Sequence, residues 1–94
     1  MAIYFVGYDL TKKPFQNYEN LIAAIKGYEV YWGNLDSTWL ISTNHTAEQI
    51  RNNLVQHIHK DDRLLVAKIA PEAAWTDSFS DTAKQWLRNA IPGA

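Results

Sequence analysis

Five residues of this sequence could share one chemistry if the chain folds them together: Asp9, Asp36, Ser37, Asp61 and Asp62. Carboxylates gathered at one rim can hold Mg²⁺ or Mn²⁺ through oxygen ligands and water. A metal held in that way activates water for phosphodiester cleavage. Asp is also a common turn residue, because its carboxylate satisfies loose backbone donors. That explanation covers Asp36, Asp61 and Asp62 on its own. Asp9 differs, since it closes the most apolar segment of the chain, directly after Tyr8, where burial of a charge is costly. Three His invite a metal or general-base reading. His57 and His59 are two apart and point to different faces of a helix, so they do not pair as ligands spaced by four do. His59 could approach the carboxylate rim, whereas His45 is expected to be exposed.

The elements that must position these residues can be read from periodicity. Residues 3–10 are rich in β-branched and aromatic side chains and are apolar at nearly every position on both alternating faces, which marks a central strand. Residues 11–16, including Lys12 and Lys13, form a loop. Tyr18, Leu21, Ile22 and Ile25 recur at helical spacing, with Asn17 as a cap and Gly27 as a stop. Residues 28–32 read as a second strand, 33–36 as a turn and 37–42 as a third strand. Thr46 and Gln49 fit a capping box ahead of Ala47, Ile50, Leu54 and Ile58. Residues 63–69 form a fourth strand. A last helix starts near Ser80, buries Ala83, Trp86, Leu87 and Ala90, and ends at Pro92 and Gly93.

The order is β-α-β-β-α-β with a trailing helix, an α+β arrangement of the ferredoxin-like type. Right-handed crossovers then give an antiparallel sheet ordered 4-1-3-2, with the first two helices on one face. The chain is expected to be a single domain over residues 1–94, with a core in 1–70 and a helical extension in 71–94. In this topology the end of the first strand, the hairpin tip and the start of the fourth strand share one edge, about 5 Å apart per strand step. Asp9, Asp36, Ser37, Asp61 and Asp62 should therefore gather there, with Lys60, Lys12 and Lys13 nearby.

Composition bounds the function. The 94 residues carry nine Lys plus Arg against ten Asp plus Glu, a net charge of −1, which excludes a generally basic nucleic-acid coat. The absence of Cys excludes disulfide scaffolds, thiolate zinc sites and cysteine nucleophiles. No run of residues approaches a membrane span. The N-terminal segment lacks a basic start and meets Asp9 too soon for a signal peptide, so a cytoplasmic protein is expected. Tyr4, Tyr8, Tyr31, Trp32 and Trp39 all fall on the first three strands. A sheet face left open with part of that set calls either for a second copy or for stacked bases.

The strand ending Val6-Gly7-Tyr8-Asp9-Leu10, the helix Tyr18–Ile25, the hairpin Leu35-Asp36-Ser37-Thr38-Trp39-Leu40-Ile41 and the later Asp62-Arg63-Leu64-Leu65-Val66 resemble the small CRISPR-associated adaptation protein family. The chain is most similar to its stand-alone, SinR-like relatives, and more distantly to virulence-associated protein D. The resemblance covers residues 1–70. It implies a ferredoxin-like fold, a homodimer and, in some members, metal-dependent nuclease activity on RNA or DNA. It also implies that the family's acidic residue falls on Asp9, paired across a dimer to hold the metal, and that its small hydroxyl residue falls on Ser37.

The first expectation is a homodimer joined through the open sheet face, acting as a weak Mg²⁺- or Mn²⁺-dependent endonuclease with Asp9 as the main ligand and Ser37 and Tyr8 shaping the site. Asp36, Asp61 and Asp62 are further ligand candidates. The alternative is a non-catalytic dimeric interaction module of a toxin–antitoxin or phage-defence system. A third reading is single-stranded RNA binding through the sheet aromatics.

Overall fold

The computed structural model describes residues 1–11 and 17–91. Lys12, Lys13, Pro92 and Gly93, named in the sequence reading, lie outside the described residues. The apolar N-terminal segment forms β1 (Ala2–Asp9), and it is central. It pairs antiparallel with β3 (Thr38–Thr43) on one edge and with β4 (Arg63–Lys68) on the other. With β2 (Tyr31–Leu35) outside β3, the sheet order is β2-β3-β1-β4, as the crossover argument requires. The protein is thus an α+β fold built on a four-stranded antiparallel sheet. No helix among the described residues is long and apolar enough to cross a membrane.

Alternation along β1 sends side chains to two separate cores. Tyr4 and Val6 join Ile41 on the first face, against α1 (Asn17–Lys26) and α2 (Ala47–Leu54). Leu21 and Ile25, one helical turn apart on α1, are fully buried there, as are Ile50 and Leu54 on α2. The capping box starts α2 as expected. The Thr46 hydroxyl accepts the Gln49 N–H at 3.1 Å, and the Gln49 side chain accepts the Thr46 N–H at 2.9 Å. Such a cap contributes about 1 kcal/mol. The helix ends at Leu54 rather than reaching Ile58, and a 3-10 turn over Val55–His57 follows. His57 and His59 therefore do not share one α-helix.

The second face is where the fold departs most from expectation. Helix α3 (Asp81–Ala90) lies against it, capped by the Ser80 hydroxyl. Ala83, Leu87 and Ile91 bury Trp32 and Leu40, with Ile3, Phe5, Trp75 and Phe79 packed around them. The Trp32 indole N–H donates to the Ala83 carbonyl at 3.1 Å, which ties the outer strand to the helix. This face is not open as a whole; α3 and residues 69–80 cover it over β2 and β3. The aromatic set is also divided differently. Tyr4, Tyr8, Tyr31 and Trp39 project to the first face, and Trp32 is buried under α3. Phe5, on the second face, is partly buried and lines the depression beside Gly7.

The hairpin is shifted from its expected position. Residues 33–35 belong to β2, and the loop is the pair Asp36–Ser37, with Ser37 in the left-handed region at φ 56°. Ser37 is thus a turn residue, and β3 starts one position later. At the end of α1 the left-handed position is Glu29 at φ 71°, two residues beyond the glycine expected to stop the helix. The turn there is closed by Glu29 N–H to Lys26 O and Val30 N–H to Tyr28 O, so β2 cannot begin before Tyr31. Gly33 inside β2 has a packing reason. A Cβ there would collide with the Trp39 ring, which is held by its N–H bond to the Tyr8 hydroxyl at 3.1 Å. Gly33→Ala must displace that ring, and it is expected to cost about 1–3 kcal/mol, read as a lower midpoint in urea denaturation.

Candidate functional site

The exit of β1, the hairpin tip and the entry of β4 do share one edge. The Tyr8 N–H donates to the Ser37 carbonyl at 3.1 Å, which fastens the turn to the strand. Gly7 pairs with Thr38, and Asp9 stands directly across from Arg63. Asp9, Ser37, Thr38, Arg63, Gly7 and Leu65 surround a shallow depression of about 370 Å³ on the second face. Phe5 forms its floor, and its ring leans over Gly7, where a Cβ would lie 2.6 Å from the ring edge.

The acids at this edge are not gathered into one site. Asp9 and Tyr8 are consecutive on a strand, so their side chains leave opposite faces. The Tyr8 hydroxyl points to the first face and accepts the Trp39 indole N–H. Asp36 is exposed in the two-residue turn. Asp61 is exposed beside His59; its N–H donates to His59 Nδ1 at 3.2 Å, and its Oδ2 lies 3.6 Å from the same nitrogen.

Asp62 does something else. One carboxylate oxygen accepts the Thr11 N–H at 2.7 Å and the Thr11 hydroxyl at 3.0 Å. The other accepts the Tyr18 hydroxyl at 2.7 Å and the His59 N–H at 2.8 Å. One side chain therefore joins the exit of β1, the first turn of α1 and the entry of β4. Desolvation alone would raise its pKa. The four hydrogen bonds to the charged form outweigh that and pull it down from the ordinary 3.8 to about 2.

This donor set does not fit a divalent cation within one chain. Among the described residues, no group of three or more His, Asp or Glu is placed to hold a metal. Asp9 has Arg63 as its cross-strand neighbour, and both oxygens of Asp62 are engaged. What sequence reasoning missed is the pair that accompanies Asp9. Arg63 is its cross-strand neighbour, and Leu65, two residues on, projects from the same face and is 62% exposed. Thr11 and Tyr18, the donors to Asp62, carry no motif that signals them.

No protein-family model matches the chain, and no solved structure matches it.

The lowered Asp62 pKa gives a signed prediction. A group whose folded pKa lies below its unfolded value adds stability above the unfolded value, and that stability is lost as pH falls through the folded one. The wild-type chain should thus lose stability progressively as pH falls from 3.8 towards about 2. Asp62→Asn should lower the thermal midpoint at pH 7 and flatten that acid limb. Thermal melts followed by circular dichroism across this range measure both.

Proposed function

We propose that this chain is a ferredoxin-like module that acts by self-association, two copies meeting through the strip of the second face that α3 leaves bare. One observation carries the reading: Leu65 stands 62% exposed on a strand whose neighbouring residues Leu64 and Val66 pack into the first core. A single exposed leucine is ordinary at a protein surface; what marks this strip is that Leu65 shares it with the cross-strand pair Asp9 and Arg63. The residues around it favour a second copy. Asp9 and Arg63 lie side by side in the same strip. Under a two-fold axis each acid faces the other copy's base, so the strip is complementary to itself. The resemblance to the small CRISPR-associated adaptation protein family, whose members are homodimers, supports the same assembly. It also supports reading the β-α-β-β-α-β order with its 2-3-1-4 sheet as ferredoxin-like.

A weak metal-dependent endonuclease acting on RNA or DNA is the second reading. It is favoured by Asp9 and Ser37 lining one depression, the two positions where the resemblance places the family's acidic and hydroxyl residues. The association reading stands first because the remaining acids are occupied or apart.

Light scattering should give a mass twice the 10.8 kDa of one chain. Leu65→Arg should raise the dissociation constant at least about tenfold, as for a buried interface anchor. Asp9→Arg alone should weaken the dimer, and Asp9→Arg with Arg63→Asp should restore it. A single-chain mass for the wild type rejects the assembly. In parallel, the protein with Mn²⁺ should leave single-stranded RNA and duplex DNA intact; cleavage abolished by Asp9→Asn would establish the second reading instead.

A further inference from the structure

Between the second face of the sheet and residues 69–80 lies a cavity of about 400 Å³. Its walls are Phe5, Trp32, Leu40, Trp75, Phe79 and Leu87, among others. It is partly open to solvent, with the exposed Ala74 and Thr76 among its lining residues, and its volume lies in the range of small-molecule pockets, roughly 300–1,000 Å³. Among the described residues no ionisable side chain lines it, and the side-chain hydroxyls are those of Thr38 and Thr76. Pockets lined mainly by apolar and aromatic side chains take up apolar guests.

The walls are built rather than loose. Trp32 is fixed by its N–H bond to Ala83 and meets Phe79 with ring centroids 5.4 Å apart at 59°. The covering residues form no helix or strand, yet they are tied to α3 by Lys84 Nζ on Asp77 Oδ1 at 2.7 Å. They are tied to β1 by the Ile69 N–H on the Ile3 carbonyl at 2.9 Å. Tilted rings set around a void present both faces and edges, the geometry that an aromatic guest prefers. A charged guest would lose its hydration there with no counter-charge in return.

We propose that this cavity is a binding site for an uncharged aromatic molecule of one or two rings. The site does not rest on self-association, and either can fail without the other. The probe is indole, titrated into the full chain and followed by methyl NMR. Saturable shifts are expected at Leu40, Leu87 and Ile91, with Leu21 and Leu54 of the first core unmoved. Indole-3-carboxylate should bind at least about tenfold more weakly. Ala73→Phe and Ala74→Phe, both at positions lining the cavity, should abolish the shifts. Ala74 is exposed, so its variant keeps the test open if filling at Ala73 disturbs folding. The proposal is overturned if indole gives no saturable shift with the wild type, or if the carboxylate binds as well. It is overturned equally if the shifts survive in a folded filled variant, or if they appear only as the mass doubles, which would make a second copy the occupant.

Discussion

The pairing of β1 along both its edges constrains every other part of this molecule. Val6 lies between Trp39 on one side and Val66 on the other, and it is wholly buried. A slip of one residue in either ladder would turn Tyr4 and Val6 out of the first core and drive Phe5 and Asp9 into it. The cost of burying that carboxylate, added to the loss of two apolar side chains, makes the register unambiguous. Once it is set, Asp9 must face Arg63, and Tyr8 must reach Trp39 on the other face.

Acids at the same edge thereby come to different uses. Asp62 is drawn inward by four donors from three segments and serves as a clamp. Its charge is what the donors recognise, so the clamp and its lowered pKa are one property seen twice. Asp9 has no such ring of donors and stays at the surface, where a charge can be offered to another molecule. Asp36 and Asp61 sit exposed in turns. Proximity along an edge is therefore not enough to make a metal centre; the carboxylates must also converge, and the alternation of the strand and the demands of the clamp keep them apart.

The trailing helix decides the character of the second face. Helix α3 brings Ala83, Leu87 and Ile91 onto Trp32 and Leu40, and so converts half of an open sheet into a second core. What remains bare is a narrow strip with one leucine, one acid and one arginine. Within that strip Asp9 and Arg63 are cross-strand neighbours.

The sequence by itself determined the element order, the central place of the most apolar strand, the capping box on Thr46 and Gln49, and the strand order that two right-handed crossovers impose. These follow from local periodicity and from chirality, which act over a few residues or through general rules. It also placed Asp9 beside the hairpin tip and the start of β4, because strand ends are set by topology alone. Only the tertiary structure decided which carboxylate would become a clamp, since the donors to Asp62 come from as far as 51 residues away and have no pattern of their own. The same holds for the hairpin shift, which follows from the left-handed turn at Glu29 and the Trp39 ring lying over Gly33. The covering of the second face is of this kind too. The amphipathic pattern of α3 says that the helix will bury one side, but not which of two apolar surfaces it will bury it against; that choice rests on the fit of Ala83 and Leu87 to Trp32, a contact between segments about fifty residues apart.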